Sequence, residues 1–321
     1  MNEEKIKVWD GYVPIAIAFT ANYYIPAAVT IQSVIANSAI DEKFHFICMV
    51  SYNISELQKQ KLRMMDGGIG RIRFSFVDLQ NVLKDIYVIE HFTVAASFRL
   101  LLPQILPDYK KVIYLDCDVI VRANLSYLYY SVDLKNNYLA GVRELVSKFH
   151  IDNVPKECDI NNYINSGVLL MNLEQLRKDN MVSKFVEASK CDKYVCPDQD
   201  ILNIYCRDRI YFLPPYYNGI VVFNNKQEFL KKYTEEDYNA YKNYGTIHYI
   251  SNKPWNSIAH QYFLWWKNYD LLSPELKKEW KMDFSTRWVY ATYRCHLLYL
   301  IYKSPSILMN RMYRIYGFIF K

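Results

Sequence analysis

The chain has 321 residues, 51% hydrophobic and 22% charged, a composition that supports a large core and excludes a disordered polymer. Its 9 glycines are about 3% of the chain against a usual ~7%, and neither G-x-G-x-x-G nor G-x-x-x-x-G-K-[ST] occurs, which excludes the dinucleotide fingerprint and the P-loop. The whole net charge of +6 sits after residue 283, where Arg287, Arg294, Lys303, Arg311, Arg314 and Lys321 meet no Asp or Glu; the neutral remainder argues against a nucleic-acid partner.

Seven cysteines, an odd number with no C-x-x-C, in a chain too large to need staples point to reduced thiols. The opening MNEEKIKVWDGY has no secretory apolar stretch, and no apolar run reaches the ~18 residues of a membrane span. A cytoplasmic protein is expected, with a hint of membrane contact only at the C-terminus.

In chain order, residues 14–19 (PIAIAF) read as a buried strand and about 26–37 as a helix. Residues 44–50 form a second strand, and 55–65 a helix opened by a Ser55 cap with Gln58 three residues on. Residues 71–77 alternate with period two, and 112–115 (VIYL) are another buried run. Residues 165–171 read as a strand, 173–189 as one helix, 198–206 as a helix with an acidic start, and 247–250 as a short strand. Such alternation predicts an α/β fold with a mostly parallel central sheet covered on both faces, and ligands beyond the C-terminal strand ends. No repeat or linker divides residues 1–270, which are expected to form one catalytic domain, with 271–321 a helical tail.

The sharpest local signal is Lys111-Val-Ile-Tyr-Leu-Asp116-Cys117-Asp118, an apolar strand delivering two carboxylates to one side of the chain. Paired hard oxygen ligands at a strand end suit magnesium or manganese bridging to substrate phosphates. Two turn aspartates are the plainer explanation. A haloacid-dehalogenase-like phosphohydrolase with Asp116 as nucleophile is another, but about 110 residues precede the motif and no later acidic pair is evident. Three more strings follow in order: Tyr163-Ile-Asn165-Ser166-Gly167, Pro197-Asp198-Gln199-Asp200-Ile-Leu-Asn203, and His248-Tyr-Ile-Ser-Asn-Lys253-Pro-Trp255. Each alone has a dull reading as turn, cap, strand histidine or loop.

Together these strings resemble glycosyltransferase family 8, the retaining GT-A enzymes that include bacterial lipopolysaccharide and lipooligosaccharide α-galactosyl- and α-glucosyltransferases and glycogenin. The resemblance covers residues 14–255 and implies a UDP-sugar donor and Mn2+ (or Mg2+) held by Asp116, Asp118 and His248. It implies that Ala18, Thr20, Asn22 and Tyr23 contact uridine, with Thr20 standing where the family often carries an acidic residue. Arg99 and Cys117 would line the donor site, and Lys253 would neutralise the diphosphate. Asp198, Gln199 and Glu144 would act around the transferred hexose, with Asn165 and Ser166 in the same pocket.

The function implied is retaining transfer of glucose or galactose from a UDP-hexose to a glycan or glycolipid acceptor, such as a lipopolysaccharide core. Alternatives are the phosphohydrolase, a degenerate binding protein, and a glycogenin-like self-glycosylating protein, for which no single one of the 30 tyrosines stands out. In the tail, Trp288, Ala291, Cys295, Leu298 and Tyr302 form one helical stripe. Beyond Pro305, residues 306–321 form a second, with an apolar face and a basic one, as in a helix lying on an anionic membrane surface. The enzyme is therefore expected at the inner face of the cell membrane, peripherally attached.

Overall fold

The computed structural model describes residues 6–80, 94–145 and 152–303. The strands are β1 (Val13–Phe19), β2 (Phe44–Val50), β3 (Ile72–Asp78), β4 (Lys111–Leu115), β5 (Val119–Ile120), β6 (Leu139–Arg143), β7 (Ile164–Asn172), β8 (Ile210–Phe212), β9 (Gly219–Ile220) and β10 (Ile247–His248). Seven form one sheet in the order β3-β2-β1-β4-β7-β6-β8, and β5-β10-β9 form a small second sheet. β1 and β2 are buried at every residue, which is why β1 is an unbroken apolar run and β2 is one apart from His45, whose ring meets the Tyr109 and Ser75 hydroxyls. β3, at the sheet edge, is half-exposed and keeps a polar alternation.

Six strands of the large sheet run one way and β7 runs against them, paired antiparallel with both β4 and β6. The α/β fold with a mostly parallel sheet is therefore present, with one reversal that alternation of apolar runs does not encode. The reversal matters because Leu115 pairs with Val168. The first residues of β7 thus stand beside the residues that follow β4, and Asp116 donates its backbone N–H to the Gly167 carbonyl at 2.8 Å. On the other side, β10 pairs antiparallel with β5, His248 opposite Val119, and Tyr249 donates to the Asp118 carbonyl at 3.0 Å.

Local rules account for most helices. The helix Glu56–Arg63 begins with the expected capping box of Ser55 and Gln58. The helix expected over 173–189 is two helices, Leu173–Lys178 and Met181–Ala188. Asp179 closes the first, its carboxylate accepting from Tyr138, Gln175 and Arg209. Asn180 then turns at φ 50°, a left-handed conformation that asparagine tolerates.

Residues 262–294 pack on the sheet domain through an aromatic cluster. Trp265 and Trp266 of the helix Tyr262–Asp270 are wholly buried, with Trp255, Tyr269, Trp280 and Tyr290 around them. Trp266 donates its indole N–H to the Pro254 carbonyl at 2.9 Å, tying the cluster to the Lys253-Pro-Trp255 loop. The helix Phe284–Arg294 buries Thr286, Val289 and Thr292, and Tyr290 donates to Asp270 at 2.8 Å. The stripe expected through Trp288, Cys295 and Tyr302 does not lie on one helix. Cys295 is extended (φ −123°, ψ 101°) and a second helix, His296–Lys303, starts after it. Residues 306–321, where a further helix is expected, lie outside the described residues. Among the described residues, no helix is long and apolar enough to cross a membrane.

Truncating Trp266 to alanine removes a fully buried ring and one buried hydrogen bond. Trp266→Ala is expected to lower stability by about 3–5 kcal/mol, measured as a shift in the urea unfolding midpoint at unchanged slope.

Candidate active site

The ends of β4 and β10 bring Asp116, Asp118 and His248 together, with one ligand atom of each within 4.8 Å of the others. His248 Nε2 lies 3.3 Å from Asp118 Oδ1 and 3.8 Å from Asp116 Oδ2. The remaining oxygens are already used. Asp116 Oδ1 accepts from Arg99 at 2.7 Å and from the Tyr114 hydroxyl at 2.9 Å, and Asp118 Oδ2 accepts from Lys253. Each carboxylate therefore has one oxygen facing the imidazole. Burial alone would raise the Asp118 pKa, but Lys253 and His248 outweigh it and hold the carboxyl well below its ordinary range.

Gly167 makes this approach possible. A Cβ built there would stand 2.1 Å from His248 Cε1 and 2.8 Å from Asp116 Oδ2. Only a residue without a side chain lets β7 pass behind both groups. Two carboxylate oxygens and one imidazole nitrogen around such a cradle fit a divalent cation that retains open positions for water or substrate.

Arg99 is buried and satisfied on every side. Its NH1 donates to the Ser166 carbonyl and hydroxyl at 2.6 and 2.7 Å, its NH2 to Asp116, and its Nε to the Ala96 carbonyl at 2.8 Å. The same Nε lies 3.1 Å from Asp198 Oδ2, and the guanidinium sits 4.3 Å above the Tyr114 ring. Burial lifts the Asp198 pKa above its ordinary value, and Arg99 offsets only part of that.

Asp198 and Gln199 open the helix Pro197–Tyr205, which Asn203 fastens to β7 by a reciprocal pair with the Ile164 backbone at 2.8 and 2.9 Å. Asp200 caps the preceding loop through the Val195 and Cys196 N–H groups at 2.9 Å and accepts from Tyr163. Gln199 is bonded at both ends. Its oxygen accepts from the Ser166 N–H at 2.9 Å, and its nitrogen donates to Glu144 and Tyr163 at 3.2 Å.

These groups line one cavity of about 1230 Å³, which holds Ala18, Thr20, Tyr23, Arg99, Asp116, Cys117, Asp118, Glu144, Asn165, Ser166, Asp198, Gln199, His248 and Lys253. Asn22 is not among the lining residues; it is exposed on the 3-10 turn Ala21–Tyr23. The Tyr23 ring meets Trp255 edge-on at 5.6 Å, and the Cys117 thiol faces the Ala18 carbonyl at 3.0 Å. Asn218 belongs to none of the sequence motifs. It is wholly buried, with its amide oxygen 3.0 Å from His248 Nδ1 and its amide nitrogen 2.8 Å from Asn165 Oδ1. Pro214-Pro-Tyr-Tyr-Asn218-Gly219 reads as an ordinary turn, and the only signal in it is an amide just before a glycine that Tyr241 crowds.

A methyl group at position 167 must displace His248 or Asp116. Gly167→Ala is expected to weaken divalent-cation binding, probed with Mn2+, by at least about tenfold, the scale of a disturbed ligand orientation, with a folded far-ultraviolet spectrum. Manganese titration followed by electron paramagnetic resonance measures it, and an unchanged affinity would show that the cradle is looser than described.

Comparison with known proteins agrees with this geometry. Residues 14–259 match the family described as glycosyl transferase family 8. The lipopolysaccharide 1,2-glucosyltransferase of Escherichia coli K12 is 28% identical over 80% of this chain and 79% of its own length. A probable glycosyl transferase of Streptococcus gordonii is 27% identical over 70% of this chain, which spans about a third (34%) of that relative's length. Among solved structures, the galactosyltransferase LgtC in complex with donor and acceptor sugar analogues has a TM-score of 0.68 at 26% identity, covering 84% of this chain and 100% of LgtC. The bifunctional enzyme WbbM has a TM-score of 0.70 at 25% identity, covering 85% of this chain and 52% of its own. With the matched segment running from β1 through the His248-to-Trp255 string, the chain belongs to glycosyltransferase family 8.

Proposed function

We propose that the protein is a metal-dependent, retaining α-glycosyltransferase that moves glucose or galactose from a UDP-hexose to a glycan acceptor. The observation that carries this reading is the convergence of Asp116, Asp118 and His248 beside Lys253 at one wall of the cavity. The acceptor is proposed to be a surface glycan of the lipopolysaccharide-core type, by analogy with the Escherichia coli glucosyltransferase.

In this reading Mn2+ (or Mg2+) on the Asp116–Asp118–His248 cradle supplies a Lewis acid for the departing diphosphate. Lys253 is held above its ordinary pKa by Asp118 despite its burial, so its charge is available where the leaving group gains negative charge. Thr20 and Tyr23 hold the uridine at the end of β1, with exposed Asn22 reaching the ribose. Arg99 holds Asp116 and Asp198 in register and faces the donor sugar. Glu144, Asn165, Ser166, Asp198 and Gln199 surround the hexose and present it to the acceptor. Both ends of the Gln199 amide are engaged, which supports an orienting role rather than a nucleophilic one. Attack on the face that the diphosphate leaves, with a departing phosphate oxygen taking the acceptor proton, then gives retention.

The described chain before residue 304 supports peripheral contact with an anionic membrane surface. Phe284 is 85% exposed, and Trp288, Leu297, Leu300 and Tyr302 are also exposed, with Arg287 and Arg294 among them. Each basic residue near such a surface contributes ~1 kcal/mol, and Arg311, Arg314 and Lys321 follow Lys303.

Calorimetry of UDP with and without Mn2+ tests the chemistry. Wild-type binding is expected to need the metal, Asp118→Asn to lose that dependence and all transfer, and Gln199→Ala to keep it while turnover falls at least ~10-fold. Equal UDP affinity in both conditions would refute the metal reading, and a panel of UDP-hexoses then identifies the sugar. Truncation after Lys303 is expected to weaken sedimentation with anionic vesicles and to spare donor hydrolysis; unchanged sedimentation would remove residues 304–321 from the account.

A further inference from the structure

We propose that Asn218 is a positioning residue that fixes both the orientation and the tautomer of His248, keeping the proton on Nδ1 and the Nε2 lone pair toward Asp116 and Asp118. The inference rests on the reading of those three residues as metal ligands. It follows from a line of hydrogen bonds in which each partner dictates the next.

The Gly167 backbone N–H can only donate, and it lies 3.0 Å from one end of the Asn165 amide. That end is therefore the carbonyl oxygen. The same oxygen lies 2.8 Å from the Asn218 amide, so Asn218 presents its NH2 there. Its carbonyl oxygen is then the atom 3.0 Å from His248 Nδ1, and an oxygen without a proton bonds Nδ1 only when Nδ1 carries one. The other end of Asn165 agrees independently, since it donates to a Glu144 carboxylate oxygen at 3.3 Å. With Asn218 wholly buried, no bulk water stands in for any of these partners.

The consequence is directional. With Nδ1–H committed to Asn218, a neutral imidazole has only Nε2 left as a lone-pair donor, and Nε2 is the atom 3.3 Å from Asp118 Oδ1. Gly167 thus acts twice. Its missing side chain admits the ring, and its backbone N–H sets the ring's protonation pattern through two amides. Outer partners of this kind typically change metal affinity by 10–100-fold when removed.

Long-range 15N NMR of the full, metal-free chain reads the tautomer directly, at a pH where the ring is neutral and with the His248 signals assigned by their loss in His248→Gln. The wild-type ring is expected to carry its proton on Nδ1, and Asn218→Ala to give a mixture. Mn2+ alone, titrated by electron paramagnetic resonance, is expected to bind Asn218→Ala about 10–100-fold more weakly. Asn218→Asp retains the acceptor for Nδ1 but turns a second oxygen toward Asn165 Oδ1, so it should bind Mn2+ more tightly than Asn218→Ala and more weakly than wild type. A neutral wild-type ring protonated on Nε2, or unchanged Mn2+ affinity in Asn218→Ala, overturns the proposal. If the wild type binds no Mn2+ here, the metal reading fails while the tautomer result still decides the role of Asn218. Should Asn218→Ala not fold, the wild-type spectrum and Asn218→Asp, whose neutral ring is expected to keep its Nδ1 proton, decide it.

Discussion

A guanidinium removed from water holds the site together. Desolvating such a charge costs several kcal/mol even after relaxation, so Arg99 is stable in the interior only if its donors are met. They are met by three separate parts of the chain: Asp116 after β4, Ser166 in β7, and Asp198 at the start of a helix. Strand end, reversed strand and helix are thereby fixed to one another within the length of a hydrogen bond. Losing either carboxylate would leave a buried charge short of a partner, a defect on the order of 3–5 kcal/mol. The same contact decides how Asp116 presents itself. With Oδ1 committed to Arg99 and Tyr114, only Oδ2 faces His248.

The charges around the rim do not balance by themselves. Asp116, Asp118, Glu144, Asp198 and Glu228 line the cavity against Arg99, Lys231, Lys232 and Lys253, and the three aspartates gather at the wall that holds only Arg99 and Lys253. A diphosphate brought to this wall alone would meet carboxylates at short range, where like charges repel strongly. A divalent cation on the Asp116–Asp118–His248 group would offset that repulsion.

Much of this was legible beforehand, and the reasons differ by residue. β1, β2 and β4 announce themselves because burial on both faces leaves mostly apolar residues, with His45 in β2 and Lys111 at the start of β4 the exceptions. The D-x-D, Asp198-Gln199 and Lys253 strings were found because each keeps its chemistry within a few consecutive positions. The direction of β7 was not legible, because reversing a buried strand changes its partners and leaves its composition alone. The break at Asp179–Asn180 was hidden because two distant partners, Tyr138 and Arg209, help to hold it. Asn218 was missed for a similar reason: its neighbours in sequence form a turn, and its meaning lies in Asn165 and His248, 53 and 30 positions away.

The reversed strand has a consequence for how such a protein can diversify. Asp116, Asp118, Gly167 and His248 all lie on or one residue from paired backbone, where an insertion would shift a register and turn side chains to the opposite face. Leu145, Ile160 and Asn161, on another wall of the same cavity, belong to a connecting stretch outside regular ladders. Length changes are tolerated there far more cheaply. That wall of the cavity can therefore change its length and shape without shifting the register that holds Asp116, Asp118 and His248 together.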